Sequence, residues 1–307
     1  MSTAGVALPG VSGALRFSHQ AMNTVFEIVC AHPDPPYARQ AAWAAFDVAG
    51  RLEQELSRFI ENSDISRINS LAAGQSVRVN RWTMECLELA RLAWAETAGA
   101  FDISLGSGLG TLSLDPLRLE VRANASGVRL DLGGIGKGYA VDRMAEVLAE
   151  WGVGRALIHA GFSSVLALEA PEGCEGWPLT MSPPEGAAAA PFILIQAKRR
   201  AFSASGTQKG DHIVDPRTGQ PARLRRAAWA SAPVGALADF CRNARSAPAA
   251  AIGESPAAVV EAFSTAFLIL DARAIEDCCR KYPGLESWTL DNRIVHFPDC
   301  GSSYDEN

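Results

Sequence analysis

Two patterns of apolar residues, one alternating and one helical, divide the chain into short strands and longer helices. Thr24 to Cys30 alternates apolar and polar positions and is rich in β-branched residues, which predicts a strand. Between Ala42 and Leu56 apolar residues recur at helical spacing, with charges on the opposite face, which predicts an amphipathic helix. The same patterns predict strands at 77–79, 128–132, 156–168, 192–196, 200–203, 212–214, 287–290 and 293–297, and helices at 82–98, 140–151, 260–270 and 274–282.

This mixture of elements predicts an α/β (α+β) protein. At 307 residues the chain is long enough for a substantial core, and we expect a single compact unit over residues 17–298. Residues 1–16 are expected to form a flexible extension and 299–307 a polar tail. The alanine-rich stretch 227–258 is expected to carry a helix, with a mobile loop near 247–255.

Composition and charge exclude two classes of partner. The formal net charge of -6 argues against a nucleic-acid surface, because binding many phosphates requires a basic face. No run of about 18 apolar residues is present, so no membrane insertion is expected. Seven cysteines without a Cys-x-x-Cys pair are interpreted as reduced thiols. With no basic segment leading into an apolar core and no lipoprotein cysteine, these features predict a cytoplasmic protein.

The stretch from Asp131 to Asp142 carries four glycines, at 133, 134, 136 and 138, between a predicted strand and a predicted helix. Glycine permits positive φ and leaves no Cβ between the main chain and a ligand. The first amides of the following helix favour an anionic group such as a phosphate. Neither the P-loop nor the dinucleotide fingerprint is matched. The spacing alone therefore leaves two interpretations, a phosphate or nucleotide site and a purely structural turn.

The same stretch resembles the central motif of the ApbE family, Asp-Leu-Gly-Gly-Ile-Ala-Lys-Gly-Tyr-Ala-Val-Asp. A second segment, 211–221, resembles the family's His-Ile-Ile/Leu-Asp-Pro-x-Thr-Gly-x-Pro. Weaker matches are Met22-Asn23-Thr24 to Met-Gly-Thr, 55–69 to the Leu-Ser-x-Tyr/Phe segment, 99–104 to Gly-x-Phe-Asp-x-Thr, and 260–267 to Ala-Asp-Ala-Leu-Ser-Thr-Ala-Leu. The resemblance covers nearly the whole chain.

The resemblance implies an ApbE-like, T-fold-related α/β unit with a nucleotide-binding cleft. It also implies an activity, the Mg2+-dependent transfer of FMN from FAD to a threonine or serine hydroxyl in a motif of an acceptor protein, with release of AMP. FAD is then a substrate, and Mg2+ is the expected cofactor. Two alternatives stay open: a catalytically degenerate flavin-binding protein of the same fold, and an Mg2+-dependent FAD pyrophosphatase.

Site residues follow from the resemblance, residue by residue. The expected metal ligands are the carbonyl of Gly134 and the side chains of Glu261 and Thr265, which share a helical face at positions i and i+4. The family has an aspartate at the Glu261 position. Expected catalytic residues are His212, Asp215 and Lys137; His212 could act in acid–base chemistry or only hold its turn. Expected nucleotide contacts are Met22, Phe59, Ala100, Phe101, Asp102, Asp131, Gly133, Lys137 and Asp142.

The chain departs from the family pattern in four places near this expected cleft. The Pro-Leu-x-x-x-Trp-Gly stretch and its helix are replaced by the shorter segment 105–130. Glu261 replaces aspartate, Ala204 replaces a threonine, and Phe162 replaces a glycine. His159 stands at an asparagine position in an apolar run without a carboxylate nearby in sequence, and we interpret it as a core histidine with satisfied hydrogen bonds.

Overall fold

The computed structural model describes residues 13–161, 163–181, 193–207, 213–244 and 254–298. Its helices are α1 (Pro35–Leu56), α2 (Asp64–Asn69), α3 (Arg81–Glu96), α4 (Gly136–Glu150), α5 (Ala238–Ala244), α6 (Pro256–Phe267) and α7 (Ala272–Lys281). Its strands are β1 (Leu15–Ala21), β2 (Thr24–Cys30), β3 (Ser76–Arg78), β4 (Leu112–Asp115), β5 (Glu120–Ala123), β6 (Ala156–Ala160), β7 (Ser164–Ala167), β8 (Trp177–Met181), β9 (Ile193–Ala197), β10 (Arg200–Gly206), β11 (Val214–Asp215), β12 (Gln220–Pro221), β13 (Ala227–Pro233), β14 (Glu286–Leu290) and β15 (Ile294–Phe297). The first strand thus begins two residues before the predicted boundary at 17.

An antiparallel sheet of eight strands forms the centre, in the order β1-β2-β6-β7-β10-β13-β14-β15. Helices α1, α4 and α6 cover one face, where Phe26 and Ile28 of β2 join their apolar residues in the main core. The hairpin β8–β9 packs on the other face through Trp177, which is fully buried beside Val29 and Phe202. Side chains of β2 therefore point alternately to the two faces of the sheet, and apolar residues on each face pack into a separate core.

Helix α1 confirms the predicted amphipathic helix and extends it toward the N-terminus. Asp34 caps it by accepting a hydrogen bond from the Tyr37 amide (3.0 Å), and Pro35 occupies the first turn, where its missing N–H costs nothing. Ser63 is the N-cap of α2, since its hydroxyl oxygen accepts a hydrogen bond from the Ser66 amide (3.0 Å).

The N-terminal turns of α4 and α6 contact each other through main-chain atoms. A Cβ added at Gly138 would lie 2.3 Å from the Ala257 carbonyl oxygen and 2.8 Å from the Ala258 nitrogen. Asp142 of α4 is buried, and its carboxylate accepts hydrogen bonds from the amides of Ala257 (3.0 Å) and Ala258 (2.9 Å). Burial raises the pKa of Asp142 to about 8, opposed by Arg143 and by these two amides. Asp142 therefore caps α6 inside the core.

Three predicted elements differ from the structure. The stretch 128–132 is not part of any sheet. Its main chain at Leu130 instead bonds to the side chain of Asn69, which accepts a hydrogen bond from the Leu130 amide (2.6 Å) and donates one to the Leu130 carbonyl (3.0 Å). The alanine-rich stretch contains a strand, β13, as well as the short helix α5. Most of its expected loop lies outside the described residues. Helix α6 begins at Pro256, four residues before the predicted start.

The shortened segment 105–130 forms its own small sheet. After a 3-10 turn at Leu109–Thr111, strands β4 and β5 make a hairpin, and β5 pairs with β3. Gly106 reaches the loop after β11, where an added Cβ would lie 2.5 Å from the Pro216 carbonyl oxygen. In place of the family's Pro-Leu-x-x-x-Trp-Gly stretch and helix, this segment thus supplies two strands of a three-stranded antiparallel sheet.

His159 is satisfied as predicted, but its partner is a carboxylate that the sequence did not place nearby. Glu27 lies directly opposite on β2, and its Oε2 is 3.1 Å from His159 Nε2. Arg16 of β1 donates two hydrogen bonds to the same carboxylate (2.7 and 2.6 Å). Six of the seven cysteines fall in the described part of the chain and all six are free thiols. No described helix has the length and apolar composition of a membrane span.

Replacing Gly138 by alanine should destabilise the protein by about 2 kcal/mol or more, because the added methyl meets main-chain atoms of α6 that cannot move aside cheaply. Gly50 of α1 is the matched control, since nothing lies within 4 Å of a Cβ there. Gly50→Ala should stabilise by roughly 0.5 to 1 kcal/mol through helix propensity. Urea unfolding followed by tryptophan fluorescence measures both; equal effects would rule out the close contact.

Glu55 on α1 should make stability depend on pH. Its Oε2 is buried without a hydrogen-bond partner among the described residues, and burial, with a smaller contribution from Asp64, raises its pKa to about 7. In the unfolded chain a glutamate titrates near about 4.3. The stabilising contribution is therefore complete below that value and is lost as pH rises to about 7.

The Glu55→Gln variant should abolish this loss, so that its melting temperature exceeds that of the unmodified protein above about pH 7 but not near about pH 4. Asp47→Asn, at an exposed position of the same helix, is the control for the charge change alone. A melting temperature that falls equally steeply with pH in Glu55→Gln would show that another group is responsible.

Candidate active site

The glycine turn before α4 is enclosed by two other segments. An ideal Cβ at Gly134 would lie 3.1 Å from Phe101 Cε2 and 3.6 Å from Thr265 Oγ1. Phe101 is buried, and the neighbouring Ile103 carbonyl accepts a hydrogen bond from the Asp131 amide (2.7 Å). The structure therefore brings together three predicted site residues that are far apart in sequence: Phe101, Gly134 and Thr265.

Glu261 of α6 lies between Thr265 and the glycine turn before α4, and we call the place where α4 and α6 meet the junction. It is 3% exposed, and its carboxylate accepts hydrogen bonds from the Lys137 ammonium and from the Gly138 amide (2.6 Å). Lys137 Nζ also donates to the Gly133 carbonyl (2.9 Å). A carboxylate on α6 thus caps the first turn of α4, where the helix dipole favours negative charge. Together with Asp142, it makes each of the two helices supply a carboxyl group that caps the other.

A chain of hydroxyl groups extends from this junction into the sheet. Ser205 of β10 lies 3.1 Å from Thr265 Oγ1 and 2.9 Å from Ser264 Oγ. Ser264 in turn donates to Ser203 (3.2 Å). Hydroxyls can rotate to donate or accept, so this row can adjust when a charged group binds beside Thr265.

The oxygen atoms available at the junction are of the chemical types that bind a hard cation. A carboxylate, a hydroxyl and a peptide carbonyl are the oxygen ligands that Mg2+ takes. Among the described residues, no group of three or more His, Cys, Asp or Glu side chains is arranged to hold a metal ion. A cation here would depend on Glu261 for its charge partner, and Glu261 already contacts Lys137. The residues fit Mg2+ provided that Lys137 moves.

The rim of the junction carries an ion pair and an exposed aromatic ring. Asp131 accepts hydrogen bonds from Arg58 Nε (2.8 Å) and from the Gly133 amide (2.9 Å). The Arg58 guanidinium lies over the Phe59 ring at 4.2 Å from its centroid, and Phe59 is 80% exposed. Arg58 was not among the predicted residues, although it stands inside the motif that identified Phe59. An exposed ring held in this way offers a stacking surface.

Met22 occupies a strained turn near the sheet edge. Met22 and Asn23 have φ values of 50° and 55°, as the two-residue turn joining β1 and β2 requires. Of these two residues, only asparagine adopts a positive φ readily, so the backbone conformation of Met22 costs conformational free energy. Its amide donates to Glu53 Oε1 of α1 (2.8 Å). Glu53, which was not predicted as a site residue, therefore fixes the position of Met22.

Asp102 borders a separate open cavity of about 490 Å3, lined by Trp94, Ala95, Ala98, Gly99, Asp102, Pro216 and Arg217, and Asp215 directly precedes the last two of these residues. The Asp102 carboxylate accepts from Ser104 N and Oγ (both 2.7 Å), and Ala100 beside it is buried. Asp215 accepts two hydrogen bonds from the Arg217 guanidinium (both 2.9 Å), which lowers the pKa of Asp215. No contact between described residues joins Asp215 to Glu261.

Asp142 is 2% exposed, and its two carboxyl oxygens accept hydrogen bonds from the amides of Ala257 and Ala258 in α6. A nucleotide contact at Asp142 stays a prediction. His212 and Phe162 lie outside the described residues.

A model of the ApbE family matches residues 22–113 and 107–247 of this chain. The chain is 22% identical over 209 residues to an FAD:protein FMN transferase of Buchnera aphidicola subsp. Schizaphis graminum, covering 55% of this chain and 61% of that protein. It is 24% identical over 223 residues to an FAD:protein FMN transferase of Klebsiella pneumoniae, covering 60% of this chain and 63% of the relative. The matches span less than two thirds of either relative.

Solved structures extend the likeness over almost the whole chain. A flavin transferase ApbE from Vibrio cholerae superposes with a TM-score of 0.74 at 16% identity, covering 92% of this chain and 97% of that one. The ApbE protein of Thermotoga maritima gives a TM-score of 0.72 at 22% identity, covering 90% and 94%. At these identities the likeness shows the fold, and it confirms the predicted α/β architecture.

Replacing Glu53 by alanine should release the Met22 turn. The Met22 amide loses its acceptor, at a cost of about 1 to 3 kcal/mol. Gln54→Ala, at the next, exposed position of α1, is the control and should change stability by less than about 0.5 kcal/mol. Urea unfolding measures the loss, and amide hydrogen exchange at Met22 reports the turn. Unchanged exchange at Met22 in Glu53→Ala would refute the assignment.

Proposed function

The chain belongs to the ApbE family, and on this premise we propose that it transfers FMN from FAD to a threonine or serine hydroxyl of an acceptor protein. The hydroxyl oxygen forms a bond to the FMN phosphorus, the pyrophosphate bond to AMP breaks, and the hydroxyl proton is released. AMP leaves with the bridging oxygen. The curated relatives, both FAD:protein FMN transferases, support this reaction for the present chain.

The single observation that carries the proposal is the junction of Lys137, Glu261 and Thr265 at the N-terminus of α4. Phosphoryl transfer depends mostly on positioning and on neutralising charge at the phosphate oxygens. The junction offers an ammonium, the N-terminal end of a helix and a row of hydroxyls within one small volume. The ammonium and the helix end supply the positive potential that a pyrophosphate group favours.

Each group has a proposed task. The Lys137 ammonium, at the N-terminal end of α4, binds the pyrophosphate oxygens, and Phe59 with Met22 borders the flavin nucleotide. Gly133 allows the phosphate to approach the main chain, and Asp131 holds the turn through Arg58. His212 and Asp215 are proposed to orient the acceptor hydroxyl, with Arg217 keeping Asp215 ionised. Ala100, Phe101 and Asp102 form the wall behind the glycine turn.

We propose Mg2+ as the cofactor, held by Glu261, Thr265 and the carbonyl of Gly134. When bound, it would neutralise charge on the pyrophosphate and favour departure of AMP. The donor types support this choice. The free thiols support a reducing compartment, and we propose the cytoplasm as the place of action.

The test is incubation of the protein with FAD, Mg2+ and a peptide containing Asp-x-x-Ser/Thr-Gly-Ala-Thr, followed by mass spectrometry of peptide and nucleotides. The expected result is a peptide that carries FMN, with AMP in equal amount. FMN and AMP with an unmodified peptide would favour a pyrophosphatase. Intact FAD with an unmodified peptide would favour a flavin-binding protein.

Glu261→Ala should lower FMN transfer by about a hundredfold or more, because it removes the only carboxylate proposed to hold the cation. Glu261→Asp, which keeps the carboxylate and restores the residue of the family motif, should retain most of the transfer. Glu150→Ala, an exposed change at the far end of α4, is the control. Full transfer by a folded Glu261→Ala protein would eliminate the proposed metal site.

A further inference from the structure

Lys137 and Glu261 form a charge pair that is largely shielded from water. The Glu261 side chain is 5% exposed and the Lys137 side chain 22% exposed. A buried carboxylate needs a nearby positive charge, and breaking such a pair by removing one partner leaves an uncompensated charge. The chain itself therefore supplies the cation that Glu261 requires.

We propose that the Lys137 ammonium is an internal counter-ion that competes with a divalent cation for the Glu261 carboxylate. The ammonium is held by two oxygen acceptors, Glu261 Oε1 and the Gly133 carbonyl. Gly134 and Thr265, which carry the other proposed metal ligands, are neighbours at the same junction, since an ideal Cβ at Gly134 would lie 3.6 Å from Thr265 Oγ1. Among the described residues, the acceptor that binds the ammonium is thus also the one charged ligand proposed for a metal ion there.

Both cations cannot keep their best positions at once. A divalent ion bonded to Glu261 would lie about 2 Å from a carboxylate oxygen, and the ammonium lies within hydrogen-bond distance of the same group. Two positive charges held about 4 Å apart repel strongly where water is excluded. Oε2 offers no easy alternative, because it already accepts the Gly138 amide. Binding of the metal ion should therefore release Lys137 from Glu261.

The released ammonium would then be free to bind an anion. This step rests on the proposed function: the nearest expected anion is the pyrophosphate of FAD, and Lys137 lies in the first turn of α4, where phosphate is favoured. The metal ion would prepare the phosphate site by freeing the lysine. Metal ion and nucleotide should then bind cooperatively, with each increasing the affinity for the other.

Binding of Mn2+, measured by electron paramagnetic resonance without FAD or acceptor, tests the competition. Lys137→Met removes the ammonium and should tighten Mn2+ binding by about tenfold or more relative to the unmodified protein. Lys281→Met has the same charge change on α7, where Lys281 pairs with Glu96, and should leave the affinity unchanged. Equal affinities for Lys137→Met and the unmodified protein, or no Mn2+ bound by either, would overturn the proposal.

A second measurement uses the unmodified protein and so does not depend on the folding of a variant. The chain has four lysines, at 137, 198, 209 and 281, which makes acetylation rates easy to follow by mass spectrometry of peptides. Mg2+ should raise the rate at Lys137 several-fold and leave the rate at Lys281 unchanged. An unchanged rate at Lys137 would show that the ammonium stays on Glu261. Neither measurement involves flavin transfer, so a failure here is distinct from a failure of the proposed function.

Discussion

The close contact of α4 and α6 is the constraint on which the rest of the site depends. Only glycine at position 138 allows the main chains to approach this closely, and the approach brings the Glu261 carboxylate to the first turn of α4. The reciprocal contact of Asp142 with the amides of α6 fixes the same junction from the other side. Once the two helices meet there, the positions of Lys137, Gly134 and Thr265 follow from helical geometry.

This arrangement explains why the acidic side chains Glu261 and Asp142 are buried beside a proposed phosphate site. Each of the two carboxyl groups faces the positive end of a helix, and the N-terminal end of α4 is also the place where we expect a phosphate. Glu261 therefore offsets part of the positive electrostatic potential that would attract an anionic substrate. The lysine that pairs with it offsets this loss, and the pair keeps the junction close to neutral when nothing is bound.

Much of the fold was predictable from sequence because local patterns and tertiary structure agree. Helix α1, the Ser63 cap and the β14–β15 hairpin follow from periodicity, capping and turn chemistry. The predictions failed where tertiary context decides. The alanines of β13 favour a helix, but small side chains let α6 pack on a central strand. The Ser255-Pro256 pair would have indicated the start of α6.

The candidate site was predictable only in part, because some of its contacts depend on tertiary structure. Motif matching selected Gly134, Phe101 and Thr265, and these residues lie together in the structure although nothing in their spacing requires it. It missed the contacts that cross between elements: Glu27 to His159, Glu53 to Met22, and Lys137 to Glu261. Such pairs depend on strand register and helix packing, which single-sequence patterns do not encode.

The three-stranded sheet of β3, β4 and β5 offers a place where the chain can vary in length. Its strands come from two separate stretches, β3 before α3 and β4–β5 after it, and it is not part of the eight-stranded sheet. Val121 and Ala123 of β5 pack into the main core, whereas Leu117 at the tip of the β4–β5 hairpin is 80% exposed. Residues added at this tip would extend into solvent. The hairpin can therefore grow during evolution without altering the α4–α6 junction.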